Sequence, residues 1–319
     1  LHIGGNLTNN GILDFSTNNN MAAAAIAFDG ESSNTFGGTG AVTDITTLIV
    51  NKGTSSANIL ELSVSNFTVQ GSAVDGPASG YLYLIQGTFK ISGTFSGNHR
   101  TFASPVYQIT AGSGIWLNNP NYTIAAQNSP SVPVFGLLRM SAGTYNVGTL
   151  VNQVLLFYQG SDTTIEGGNI NTAGGFQKAS NGGLPIRYNQ TGGTITVCTI
   201  PVFSGPSCGY DICGAFNPSD DVNLTGGTIV IQNPGGFFFG GTGTTTLDNY
   251  DVTVRFGNAQ TAQVGFFSAG GHLPNMIFDT TAGGHVLALG GAGHYKGPQR
   301  DHRERRNARP FIHAAQTDG

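Results

Sequence analysis

The residues best equipped for chemistry crowd into one stretch, SGPSCGYDICGAFNPSDDVNL (204–224), which holds Asp211, Asp220, Asp221, Cys208 and Cys213. Carboxylates that converge on one face can act as a general acid and base on a glycosidic bond, or hold Ca2+ through oxygen ligands. Asp220 and Asp221 stand near Asn217, so this group is the candidate for an acid site or a weak Ca2+ site. Adjacent residues of an extended strand point to opposite faces, which works against a paired-carboxylate role. No catalytic residue and no resident metal or cofactor is assigned.

All three cysteines lie close by: Cys198, Cys208 and Cys213. The spacing Cys208-x4-Cys213 allows a disulfide that closes a small loop, as suits an exported protein. Cys198 follows Val197, which alternation turns inward, so Cys198 is expected to face outward or to sit at a corner. The spacings match no common zinc module. Glu166 stands alone as a strand-edge acid, and His2 and His99 are isolated in sequence. Gly-rich strings such as FGGTGTTTL lack the Lys of a phosphate loop. Trp116 and the run Phe237–Phe239 offer aromatic surface for sugar stacking, although packing in a core or corner is the more ordinary use of such rings.

Whatever positions these groups is not helical. Charged residues make up 9% of the 319 residues and glycine numbers 49. Gly, Asn, Ser and Thr disfavour helices through backbone entropy and competing hydrogen bonds. With 39% hydrophobic residues, 20 Phe and 10 Tyr, the chain is too apolar to stay unfolded. A short pattern recurs: YLIQGTFKI (83–91), LRMSAGTYNV (138–147), TTIEGGNINT (163–172), YNQTGGTITV (188–197) and VNLTGGTIVI (222–231). Each places Gly, a small polar residue and then alternating apolar positions, the signature of a turn feeding a strand. The last glycines, 87, 143, 168, 193 and 227, are separated by 56, 25, 25 and 34 residues, and AGSGIWL (111–117) splits the longest interval.

A repeat near 25 residues predicts an all-β, right-handed parallel β-helix whose coils stack about 4.8 Å apart. Phe89, Tyr145, Ile195 and Ile229 are expected along one inner wall. A sandwich gives no reason for two equal intervals, and propeller blades are longer, about 40–50 residues. The 34-residue interval reads as an insert over 205–221, and loops of this kind carry function.

The segments GGNLTNNGILDFSTN, FGGTGAVTDITTLIVNKGTSSANILEL, NQTGGTITV, LTGGTIVIQN and HLPNMIFDTTAGGHVLAL resemble the repeat region of very large secreted proteins of Bacteroidetes. Those proteins are adhesin-like β-helices, many of them ending in a type IX secretion sorting domain. The resemblance covers residues 1–293. It implies secretion or cell-surface display, and contact with glycans or other cell-surface proteins; it brings no ligand or catalytic residue with it. The rival expectation is a carbohydrate-active β-helix enzyme, a polysaccharide lyase or hydrolase, with its acids in the 205–221 insert or beyond this chain.

Charge divides the chain in two. Residues 1–293 hold seven Lys/Arg against fourteen Asp/Glu, a net of −7, and residues 294–319 hold six against three, a net of +3. The acidic body excludes a nucleic-acid surface. No apolar run approaches the length of about 20 that spans a bilayer, so no membrane insertion is expected. The Arg-rich tail is broken by Asp301 and Glu304 and has no amphipathic period. The tail 294–319 fits a shifted reading frame, since a one-base shift allows the composition of the body to return, or else a disordered segment. Starting in mid-pattern at Leu1, the chain is expected to be a fragment, with its export signal elsewhere and with uncapped ends that favour self-association.

Overall fold

A computed structural model describes residues 1–16, 24–103, 107–127, 131–179, 185–200, 209–211, 220–232, 236–238, 251–256, 264–267, 274–278 and 287–290; at 209, 211, 236–238, 264–267, 278 and 287–290 this extends to the backbone alone. Cys208, Cys213 and the tail 294–319 therefore lie outside the described residues.

All regular structure among the described residues is β, and every strand pairing is parallel. The strands stack into a β-solenoid of about eight turns spaced by roughly 25 residues, the parallel β-helix expected from the repeat. One long wall runs from Leu7–Thr8 through Asn34–Gly38, Ile59–Val64 and the second half of Gly80–Ile91. It continues through the first parts of Ser113–Ile124 and Leu137–Val147, then Asp162–Ile165, and the first parts of Arg187–Val197 and Asp221–Ile231. A second wall takes the later halves of these long strands and extends to Thr253–Phe256 and Asn275–Phe278. A third stacks seven short strands from Ser131–Val134 to Leu287–Gly290.

Glycine makes the corner between the first two walls. Gly193 and Gly227 sit at φ 69° and 83°, in the left-handed region that side chains avoid. A Cβ at Gly227 would meet the Gly192 carbonyl oxygen at 2.4 Å, because the corner of the preceding coil lies directly beneath it. Past the corner, alternation sends Tyr145, Ile170, Ile195, Ile229 and Val254 inward in register, all of them buried.

Two expectations change. Phe89 does not share the row of Tyr145; it pairs with Leu60 and Ile115, and Ile115 with Leu138, on the long wall. Two different corners use the same glycine-then-strand pattern, so sequence spacing alone merges them. The extra residues of the long coil also overlap only the start of 205–221. Ile170 and Phe176 are 6 apart whereas their partners Ile195 and Tyr210 are 15 apart, while Phe176 to Tyr188 and Tyr210 to Val222 are both 12. The nine added residues thus lie between Ile195 and Tyr210. Asp220 and Asp221 belong to the regular coil.

Candidate functional site

Along the outer face of the long wall, one residue from each coil falls on a single line: Thr35, Glu61, Lys90, Trp116, Arg139, Thr164, Asn189 and Asn223 are successive register partners. Strand alternation turns each of them outward, opposite the buried Leu60, Phe89, Ile115 and Leu138. Rungs about 4.8 Å apart then bring long side chains of adjacent coils into contact.

The middle of this line is a charged stack around an indole. The Lys90 ammonium lies 4.3 Å from the Trp116 ring centroid and the Arg139 guanidinium 4.0 Å, from the coils on either side. Each cation has its own carboxylate further out. Lys90 Nζ is 2.9 Å from Glu61 Oε1, and Arg139 donates through Nε and Nη2 to Glu166 at 3.2 and 2.6 Å. Ser141 joins ring to acid: Trp116 Nε1 donates to Ser141 Oγ (2.9 Å), which donates to Glu166 Oε2 (2.6 Å). Beyond the stack the line becomes amide: Asn223 Nδ2 donates to Asn189 Oδ1 at 2.9 Å, and on the second wall Asn171 Nδ2 likewise donates to Asn146 Oδ1.

The electrostatics are those of a neutralised, fixed surface. Burial pushes the Glu61 carboxyl up, but the hydrogen bond and charge of Lys90 more than offset it and hold it below the ordinary value. Hydrogen bonding from Arg139, against partial burial, likewise holds Glu166 down. Glycosidic cleavage needs one carboxyl raised so that it can donate a proton, with its partner about 5–9.5 Å away. Here both are lowered, and they belong to opposite ends of the stack. Glu166 is therefore an ion-paired partner of the stack, and the isolated strand-edge role expected of it does not hold. The Trp116 faces, which sequence alone offered for sugar stacking, carry cations, and the residue as a whole is half-buried.

The acids singled out from sequence are used differently. Asp220 is buried, accepts the Ile186 N–H at 2.9 Å and forms an ion pair with the buried Lys178. Asp221 faces out, 3.7 Å from Arg187, which also reaches Asp162 at 3.4 Å. The two neighbours point apart, as alternation requires, and form no common site. For Asp211 the backbone is described, in the strand Gly209–Asp211. No group of three or more His, Cys, Asp or Glu able to hold a metal occurs among the described residues.

Cys198 is fully buried at a corner, with φ 61°, and it is disulfide-bonded. Cys208 and Cys213, expected to pair with each other, lie outside the described residues. Of the two positions expected for Cys198, outward or at a corner, the corner is the one observed, and it turns the side chain inward.

Sequence reasoning missed His99. It is buried, and its Nε2 lies 2.7 Å from Asp75 Oδ1, its Nδ1 3.1 Å from the Tyr122 hydroxyl, which meets the Tyr81 hydroxyl at 2.9 Å. The three residues that surround His99 come from three coils, so no local pattern announces them. Tyr81 and Tyr122 are fully buried, and burial raises both hydroxyls. This network fastens the core.

No protein-family model, curated protein or solved structure matches this chain.

Proposed function

We propose that this chain is a structural and adhesive segment of a secreted or cell-surface protein, displaying the outer face of its long wall to glycans or neighbouring surface proteins. The observation that carries this reading is the line of eight in-register residues from Thr35 to Asn223, in which charges are compensated and hydroxyl and amide groups recur at every later rung. A parallel solenoid cannot vary the spacing of such a line, because backbone hydrogen bonds fix each rung to the next. It therefore offers a rigid, repeated array of hydrogen-bonding groups with the half-buried Trp116 among them. Aromatic edges and fixed polar groups are suited to polar, repetitive ligands such as glycan chains. The disulfide at Cys198 supports an oxidising, extracellular setting. Among the described residues no helix is long and apolar enough to cross a membrane.

The test is a glycan array probed with the full chain, alongside a polysaccharide-turnover assay. Binding without product release is expected, with Trp116→Ala and Arg139→Ala each weakening it at least tenfold while the β circular dichroism is retained. Release of cleaved product, or binding indifferent to both substitutions, would overturn the reading.

A further inference from the structure

We propose that the corner formed by Asp14, Ser16 and Asp44 is a Ca2+ site, separate from the outer line and from the acids of 211–221. Asp14 and Asp44 are register partners on adjacent coils, in the strands Ile12–Asp14 and Val42–Ile45. Their carboxylates thus leave neighbouring rungs at the same position, about 5 Å apart at the backbone. Each spends one oxygen on a backbone N–H: Asp14 Oδ1 accepts from Ser16 at 2.9 Å and Asp44 Oδ1 from Gly71, in the third coil, at 3.1 Å. Neither is in an ion pair among the described residues, unlike Asp29, Asp75, Asp162, Asp220 and Asp221. Two carboxylates are therefore left one rung apart without a cation.

An independent observation points to what completes them. The Ser16 hydroxyl is buried, in a residue 3% exposed, and has no hydrogen-bond partner among the described residues. An orphaned polar atom of this kind calls for a ligand. It faces the same hollow as Asp44. The position that a Cβ would take on Gly71 has three oxygens as its nearest neighbours: Asp44 Oδ2 at 3.8 Å, the Ser16 carbonyl at 3.8 Å and Ser16 Oγ at 3.9 Å. Gly71 is at φ 79°, so glycine keeps this space open.

Two carboxylates, a hydroxyl and a carbonyl make an all-oxygen donor set, which selects a hard divalent cation. Ca2+ accepts irregular sets of about six to eight oxygens at roughly 2.3–2.6 Å and completes them with water, whereas Mg2+ requires a tighter, near-octahedral arrangement. A bound ion would tie the first three coils together at the corner where they meet.

Calorimetric titration and thermal melting of the full chain with CaCl2 and MgCl2 test this. Ca2+ is expected to raise Tm with a dissociation constant on the order of 10⁻⁴–10⁻³ M, and Mg2+ to act at least tenfold more weakly. Asp14→Asn, at an exposed position that leaves the fold intact, and Ser16→Ala should each weaken the Ca2+ response at least tenfold. Asp221→Asn should leave it unchanged. Absence of any Ca2+-dependent heat or Tm shift up to about 10 mM would overturn the proposal, as would a response retained by Asp14→Asn and Ser16→Ala or lost in Asp221→Asn.

Discussion

Asp220 and Asp221 are neighbours in sequence, yet they have opposite energetic roles. Removing Asp220 takes a carboxylate from the buried Lys178 ammonium and the acceptor from the Ile186 N–H, and breaking a buried pair costs about 3–5 kcal/mol. Asp221 is in a largely exposed pair with Arg187, where such contacts are worth about 0–1 kcal/mol. Urea denaturation of Asp220→Ala should therefore show a large drop in midpoint, and Asp221→Ala almost none; equal effects would contradict the opposed orientations. His99 makes stability depend on pH. Burial lowers its pKa, with Asp75 only partly restoring it, so as pH falls the unfolded chain takes up the proton first, near pH 6.5. The contribution of neutral His99 is fully present above about pH 6.5 and is lost as pH falls from there through the lower folded-state pKa. The urea midpoint should accordingly fall between pH 7.5 and 5, and His99→Asn, though less stable throughout, should lose most of that dependence. A wild-type midpoint that stays level would remove His99 as the cause.

At the scale of the strand and corner, the repeated pattern has two duties: its glycine turns the chain, and its apolar alternation fills the core. Gly227→Ala tests the first. It forces a Cβ into the left-handed region and against the Gly192 carbonyl oxygen, and local strain of this kind is worth about 1–3 kcal/mol. Thermal denaturation should show that loss, whereas Gly30→Ala should cost less. Gly30 is also left-handed, at φ 82°, but nothing lies within 4 Å of the added carbon. The difference between the two variants isolates the stacking of one corner on the next. The same logic explains why Gly87 was grouped with Gly143 in sequence: both make a left-handed turn before a strand, but they do so at different corners of the coil.

Over the whole molecule, the solenoid converts sequence period into a straight line of surface groups. Strand pairing among the described residues runs from each coil to the next, so the fold gains length by adding rungs. Among the described charges, cations sit one rung from carboxylates at Glu61–Lys90, Arg139–Glu166 and Asp162–Arg187–Asp221. This arrangement suits a surface that makes many weak, repeated contacts.

The sequence by itself determined the β-solenoid, the period near 25 residues, the glycine corners and the inward rows such as Tyr145, Ile195 and Ile229. These depend on local conformational preference and on alternation along a strand, both of which act within a few residues. It also determined that Asp220 and Asp221 point apart. Only the tertiary structure decided which corner each motif occupies, where the nine extra residues fall, that Cys198 is buried and bridged, and that Glu61, Lys90, Trp116, Arg139 and Glu166 form one stack. Each of these depends on which residue one coil lays over another. A register offset of a single residue turns a side chain to the other face, so inter-coil neighbours follow from the assembled hydrogen-bond ladder and from no local feature of the chain.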